Sequence, residues 1–251
     1  MNSTEHKNPD LSLILPLYNE EPILKENLEE IRVILDYSKF SYEVILIDDK
    51  SSDKTVEIAK EIVNRTENFR LICHEKNEGR GKVVKDGIKI ANGKVVGFID
   101  VDLEMPFHNI IPCVLKIMDG YDVATIHRIY KLRFSYRWIM SKGYGWLVRM
   151  VCNTPFKDTE TGCKFFNREK ILPIIDKTTD NHWFWDTEIM AISYYENLKI
   201  IEIPALFIKK PEFLSSVNYF SDSVDYFLKL MNFREVVKSY NNKPKVQNDL
   251  R

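Results

Sequence analysis

Three acidic residues follow one hydrophobic run near the middle of the chain. The stretch GFIDVDLEMP, residues 97–106, places Asp100, Asp102 and Glu104 at alternate positions directly after apolar residues. Carboxylates this close repel one another unless a cation lies between them, and hard divalent cations prefer oxygen ligands. The spacing therefore predicts a divalent metal site. A solvated turn is the alternative interpretation.

The elements that must position these acids have the pattern of an α/β protein. Apolar runs of strand type occupy residues 11–18, 42–49, 69–75 and 94–102, and helical patterns lie between them. Nearly continuous apolar strands joined by crossover helices are typical of a parallel sheet that is covered on both faces. Ligands of such sheets bind beyond the carboxyl ends of the strands.

Polar residues gather at those strand ends. The first run leads into Tyr18 and Glu20, the second into Asp48 and Asp49, and the fourth into the acidic stretch described above. Asp53 alone has a simple alternative role as a helix cap. Three strands that deliver acids or amides to one edge predict a binding site there.

Composition bounds the class of protein. The chain has 251 residues and 44% hydrophobic content, enough for one large domain, and 36 basic against 37 acidic residues give no field that would attract nucleic acid. The four cysteines lie far apart and the start lacks a signal-peptide pattern, which favours a reducing, cytoplasmic compartment. The sequence contains no run of about 18 consecutive apolar residues, so it does not predict a membrane-spanning helix.

The region after residue 128 is rich in aromatic and basic residues. As a helix it would carry an apolar stripe flanked by cations, with Leu132, Tyr136, Ile139, Gly143, Leu147 and Met150 in the stripe and Arg133, Arg137, Lys142 and Arg149 beside it. Such a helix suits a membrane surface, and a helix packed on the sheet is the alternative. We predict an N-terminal tail at 1–9, one domain at 10–218, an amphipathic helix at 219–240 and a second tail at 241–251.

Four motifs in order resemble a known family. LPLYNEEPIL, ILIDDKSSDKT, NEGRGKVVKDGIKIANGKVVGFIDVDLEMP and DTETGCKFFNREKIL together are similar to family 2 glycosyltransferases, and within them to dolichyl-phosphate or polyprenyl-phosphate mannose or glucose synthases. The resemblance covers roughly residues 11–218. It implies the GT-A fold, with a Rossmann-like, mostly parallel central sheet and helices on both faces.

The resemblance implies a nucleotide-sugar donor, GDP-mannose or UDP-glucose, and Mg²⁺ or Mn²⁺ as cofactor. It places Asp100 and Asp102 beside the metal, with Asp102 as the first candidate for a direct ligand and Glu104 as a third. A cation held there would neutralise the charge that grows on the diphosphate as the sugar departs. The residues it assigns to the nucleotide are Pro16, Tyr18, Glu20, Asp48 or Asp49, Lys82 of the GRGK segment, and Asp100.

The resemblance implies catalytic roles for Asp102 and for three further residues. Arg128 and Lys164 fit a phosphate clamp, although Lys164 has an alternative role as a structural partner of Asp158 or Glu160. Asp186 is a candidate base, which a hydroxyl acceptor would require. A lipid phosphate is already largely ionised at neutral pH, so Asp186 would then only orient groups.

These assignments predict an inverting glycosyltransferase that moves a hexose to a polyprenyl (dolichyl) phosphate. We expect it to act peripherally on the cytoplasmic face of a membrane, with the lipid surface and, as a further expectation, a membrane-protein anchor as partners. Two alternatives stay open: a soluble or protein hydroxyl acceptor, and a non-catalytic sugar-nucleotide binding module or nucleotidyltransferase.

Overall fold

The computed structural model describes residues 8–102, 104–129, 136–206 and 219–241. The strands in chain order are β1 Leu11–Leu17, β2 Tyr42–Asp48, β3 Phe69–Cys73, β4 Val95–Ile99, β5 Val123–Ile129, β6 Cys163–Asn167 and β7 Ile200–Leu206. The helices are α1 Leu24–Tyr37, α2 Thr55–Val63, α3 Arg80–Ile90, α4 Ile110–Met118, α5 Tyr136–Cys152, α6 Arg168–Ile175, α7 Trp185–Tyr195 and α8 Tyr219–Asn241, and a short 3₁₀ turn, Phe107–Asn109, precedes α4.

The seven strands form one sheet in the order β3-β2-β1-β4-β6-β5-β7. Six strands run parallel, and β6 runs antiparallel between β4 and β5. The predicted α/β class with a mostly parallel sheet is therefore confirmed. Because β6 separates β4 from β5, it brings its own side chains into the middle of the strand ends that carry the acidic residues.

The apolar patterns account for the layers. Strands β1, β2 and β4 are buried almost throughout, since helices cover both of their faces. On one face α1, α2 and α4 pack on the sheet, and α1 buries Leu24, Leu28, Ile31 and Leu35 at the spacing of one helix face. Helices α3 and α5 to α8 cover the other face.

Element ends differ from the predicted ones by a few residues. Strand β4 ends at Ile99, not at residue 102. The Asp100 backbone amide makes one more bond to β6's side of the sheet, to the Gly162 carbonyl oxygen, and the chain turns at residues 101 and 102. Helix α1 begins at Leu24, so Pro22 lies in the turn before it. Asp100 and Asp102 therefore stand just beyond the sheet, where ligands bind in this class of fold.

Helix α5 leaves Met150 of the predicted stripe exposed, and the side chains of residues 132, 136 and 139 lie outside the described ones. Its buried side passes through Val148 and Cys152, whereas Trp146 and Met150 are more than half exposed. Met150 and Val148 lie on opposite sides of the helix, because residues two positions apart in sequence are rotated by about 200° around the helix axis. Residues 130–135 and most of both predicted tails lie outside the described residues. No helix in the described part of the chain is both long and apolar enough to cross a bilayer.

Candidate active site

The acidic residues after β4 and the basic end of β5 surround one pocket. Asp100, Asp102, Glu104 and Arg128 line it, together with Met105 and Gly162. The sequence predicted each of these four charged residues at a strand end, and the sheet order brings them together. The pocket thus combines three carboxylates with one guanidinium group.

Asp100 is held by an arginine that the sequence analysis did not select. Arg80, the first residue of α3, binds Asp100 with two parallel hydrogen bonds, from Nε to Oδ1 at 2.8 Å and from Nη2 to Oδ2 at 3.0 Å. Gly162 makes room for this pair, since a Cβ atom there would fall 1.8 Å from Asp100 Oδ2. Burial would lower the pKa of Arg80, but the carboxylates of Asp100 and Asp186 outweigh burial and raise it.

The same guanidinium group links Asp100 to Asp186. Arg80 Nη1 donates to Asp186 Oδ2 at 2.5 Å, while the planar group lies between the rings of Phe98 and Trp183, about 5 Å from each centroid. Two aromatic faces and two carboxylates fix it in one position. A basic residue between two glycines at a helix start was the sequence signal that could have identified Arg80.

Lys164 lies behind Asp186 and away from the pocket. Its side chain is fully buried in β6, and Nζ donates to Asp186 Oδ1 at 2.6 Å and to the Thr161 carbonyl oxygen at 2.5 Å. Burial lowers the pKa of this amine, although Asp186 opposes the effect. Asp186 is 1% exposed and each of its oxygens accepts a hydrogen bond from a cation. Of the two roles expected for Lys164, this geometry resembles the structural one, with Asp186 as the partner.

The charge around Asp102 fits a metal cation. Burial, followed by the neighbouring carboxylates of Asp100 and Glu104, raises the pKa of Asp102 to about 7. Burial is also the largest cause that raises the pKa of Glu20 to about 7, and repulsion from the carboxylates of Asp102 and Asp100 comes next. A divalent cation would relieve this repulsion. Within the described ranges no three side chains of the metal-binding types lie close enough together to hold an ion by themselves.

The ends of β1 and β2 form a second part of the edge. Asp49 is occupied by the turn that precedes α3: Oδ1 accepts the Glu78 amide at 2.9 Å and Oδ2 the Gly79 amide at 2.8 Å. Asp48 is equally buried, but only its Oδ2 is paired, with the Ser51 amide, and the structure shows no partner for Oδ1. A buried acceptor without a donor is rare and has the chemistry to receive a ring N–H.

The remaining predicted nucleotide residues lie around this edge in different settings. Pro16 is part of β1, Tyr18 is 47% exposed just beyond it, and Glu20 anchors its backbone amide on Thr55 Oγ1 at 2.7 Å. Lys82 lies on the outer side of α3, where it pairs with Asp86 and approaches Glu78 at 3.8 Å. Its ion pairs hold it beside the turn at residues 74–79.

Known proteins share the sequence pattern of this chain. The model of glycosyl transferase family 2 matches residues 12–184. Dolichyl-phosphate beta-glucosyltransferase of Dictyostelium discoideum is 30% identical over 221 residues, which is 79% of this chain and 68% of that protein. Glycosyltransferase AglD of Haloferax volcanii is 29% identical over 204 residues, 78% of this chain and 32% of AglD. The chain spans about one third to two thirds of the length of these curated relatives.

Solved structures share the fold. Glucosyl-3-phosphoglycerate synthase from Mycobacterium tuberculosis in complex with uridine diphosphate superposes with a TM-score of 0.67 at 15% identity, over 95% of this chain and 82% of that chain. The same enzyme with Mn²⁺, uridine diphosphate and phosphoglyceric acid gives 0.65 at 16% identity, over 95% and 80%. These likenesses establish the fold. The match over residues 12–184 shows that this chain belongs to glycosyl transferase family 2, and the solved structures show that its fold is GT-A.

Proposed function

We propose that this protein transfers a hexose from a nucleoside diphosphate sugar to the phosphate of a polyprenyl phosphate such as dolichyl phosphate, with inversion at the anomeric carbon. Glucose from UDP-glucose is the first choice of donor, because the similar proteins of Dictyostelium and human are named dolichyl-phosphate beta-glucosyltransferases. GDP-mannose is the alternative donor.

The state of Asp186 is the observation that carries the choice of acceptor. A hydroxyl acceptor must give up a proton, so its enzyme needs a base within hydrogen-bond reach of that proton. Asp186 is buried, and both of its oxygens are bound to the cations Arg80 and Lys164. Asp186 is therefore suited to holding these two cations in place and has no oxygen available to take a proton from an acceptor. A phosphate acceptor needs no such base, since its second pKa is about 6.

The pocket supplies groups for both substrates. Asp102 and Glu104 would hold Mg²⁺ or Mn²⁺ jointly with the donor diphosphate, and the cation would neutralise the charge of the leaving group. Arg128 lines the same pocket and carries a guanidinium group suited to phosphate oxygens. Asp48, with its unpaired Oδ1, is the better placed of the two aspartates for the base N–H, because Asp49 is engaged by the turn.

Exposed apolar side chains support action at a membrane surface. Trp146 and Met150 on α5 are 57% and 58% exposed, and Phe227 and Leu228 on the adjacent helix α8 are 46% and 55% exposed. Arg149 lies between Trp146 and Met150 in sequence and adds a cation. Aromatic and apolar groups beside a cation match the interface of an anionic bilayer. We infer peripheral attachment there, on the cytoplasmic face.

A transfer assay with matched donors and acceptors tests the proposal. UDP-glucose and GDP-mannose are each offered with a short-chain prenyl phosphate or with the prenol of the same chain, in Mn²⁺, in Mg²⁺ and in EDTA. We expect transfer from UDP-glucose to the phosphate only, and loss of transfer in EDTA. Transfer to the prenol, or to neither acceptor while the donor is hydrolysed, would contradict the proposed acceptor.

A further inference from the structure

Arg128 already has a counter-ion before any phosphate arrives. Its Nε and Nη2 atoms donate to the two oxygens of Asp158 at 2.6 and 2.9 Å, and its backbone amide donates to Asp158 Oδ2 at 3.1 Å. The pKa of Asp158, which burial would raise, is lowered because Arg128 outweighs burial. The charge of Arg128 is thus balanced by Asp158. The pair as a whole therefore offers a phosphate little net electrostatic attraction.

A second carboxylate stands beside this pair. The Glu160 side chain approaches Arg128 Nη2 at 3.9 Å, and its backbone amide donates to Asp158 Oδ1 at 3.2 Å. The side chain is 30% exposed, so it keeps access to solvent. The charged groups that act on it are Arg128, Asp158, Asp186 and Lys164. Two acids therefore share the guanidinium group of Arg128, which lines the pocket.

The protonation state of Glu160 decides how this corner meets an anion. An ionised Glu160 would repel a phosphate at Arg128, whereas the neutral acid would donate a hydrogen bond to a phosphate oxygen. Desolvation is the largest cause that raises the pKa of Glu160, to about 7. The carboxylates of Asp158 and Asp186 raise this pKa further, and the cations Arg128 and Lys164 oppose the increase. The neutral acid is thus well populated near neutral pH.

We propose that Glu160 is an acceptor-binding residue that works as the neutral acid, donating a hydrogen bond to the acceptor phosphate beside Arg128. The inference rests on the proposed function, because it requires a phosphate acceptor. No bond is made or broken by Glu160. It sets the affinity for the acceptor and the pH range over which the acceptor binds.

Glu160→Gln tests the role, since the amide is neutral at every pH, keeps the shape and can still donate. The matched control is Glu169→Gln, which makes the same chemical change at an exposed position on α6. The assay measures turnover and both KM values between pH 6 and 8.5 with UDP-glucose or GDP-mannose, whichever supports turnover, and a short-chain prenyl phosphate. Thermal unfolding of each variant confirms that it is folded.

The expected result is a difference in pH dependence confined to the acceptor. Because a group with a pKa of about 7 is about ten-elevenths protonated at pH 6 and one-eleventh at pH 8, the acceptor KM of the wild type relative to Glu160→Gln should rise roughly tenfold between these values. The titration of the acceptor itself is common to both proteins and cancels in this ratio. We expect the turnover rate, the donor KM and the control variant to stay within about twofold of wild type.

Three other outcomes overturn the inference and are distinguishable. A pH-independent KM ratio in a wild type that does transfer to phosphate removes Glu160 from acceptor binding and leaves the proposed function intact. If Glu160→Gln instead turns over roughly 100-fold more slowly with an unchanged acceptor KM, Glu160 acts as a base. Failure of the wild type itself to transfer to the phosphate, with transfer to prenol, refutes the proposed function together with the inference.

Discussion

Replacing Arg80 by methionine tests whether this buried cation organises the site. The change keeps an unbranched side-chain stem and removes the charged guanidinium group, so Asp100 and Asp186 lose the group that joins them. Asp186 keeps Lys164 as a partner, whereas Asp100, whose side chain is 25% exposed, depends on water instead. We expect a folded but destabilised protein.

The burial of Arg80 determines the size of the effect. The Arg80 side chain is 9% exposed, so the pair belongs to the buried class, in which removal of one partner costs about 3–5 kcal/mol. For a chain of this length each kcal/mol lowers Tm by about 2–4 °C, which gives a decrease of roughly 6–20 °C. The second substitution Asp100→Asn removes the uncompensated charge and should restore part of the loss.

Urea and thermal unfolding of Arg80→Met, Arg80→Lys and the double variant Arg80→Met/Asp100→Asn measure this directly. Without Arg80 the pKa of Asp100, already raised by burial, rises further. An acid with a raised pKa destabilises the protein above its unfolded pKa, so the deficit should shrink as the pH is lowered toward 4. A loss below about 1 kcal/mol for Arg80→Met, or a double variant no more stable than the single one, would show that Arg80 does not hold these carboxylates together.

Four further predictions address the metal, the acceptor chemistry, the membrane surface and the acidic edge. Asp102→Asn should lower transfer at least about 100-fold and weaken Mn²⁺ binding measured by paramagnetic resonance, and wild-type values in both assays would remove Asp102 from the metal site. Asp186→Asn should lower transfer per folded molecule by less than the roughly 100-fold or more that loss of a general base costs; a larger loss would favour a hydroxyl acceptor. Replacing Trp146 and Met150 by serine should reduce cosedimentation with anionic liposomes without changing donor binding, and unchanged sedimentation would exclude this face. Glu20→Gln should stabilise the protein by about 1–3 kcal/mol at pH 8 and by less at pH 5. Glu20 has a raised pKa of about 7 in the folded protein, so its ionisation destabilises the folded state as the pH rises from about 4.5 through 7. Equal effects at both pH values would contradict the burial of Glu20.

The fold and the family followed from the sequence because both depend on local pattern. Continuous apolar runs with crossover helices predicted the parallel sheet, and the order of four motifs predicted family 2; both predictions are confirmed. The convergence of Asp100, Asp102, Glu104 and Arg128 also follows from their common position at strand ends.

The inner arrangement of the site could not be predicted in the same way. Arg80 and Lys82 lie two positions apart on α3, so they point in nearly opposite directions, and only the docking of α3 on the sheet decides which one enters the site. The insertion of β6 between β4 and β5 likewise buries Lys164 behind Asp186. The roles assigned to individual site residues stay predictions.

The bond formed by the enzyme decides whether the acceptor of the sugar is a phosphate or a hydroxyl group. Wild-type protein is incubated with UDP-glucose labelled with ¹³C at the anomeric carbon and with a short-chain prenyl phosphate, and the product is examined by ¹³C and ³¹P magnetic resonance. A labelled anomeric carbon coupled to phosphorus, in the β configuration, is the predicted result. Free glucose, or a product in which that carbon is joined to the oxygen of another hydroxyl compound, with the prenyl phosphate unchanged, would contradict transfer to the phosphate.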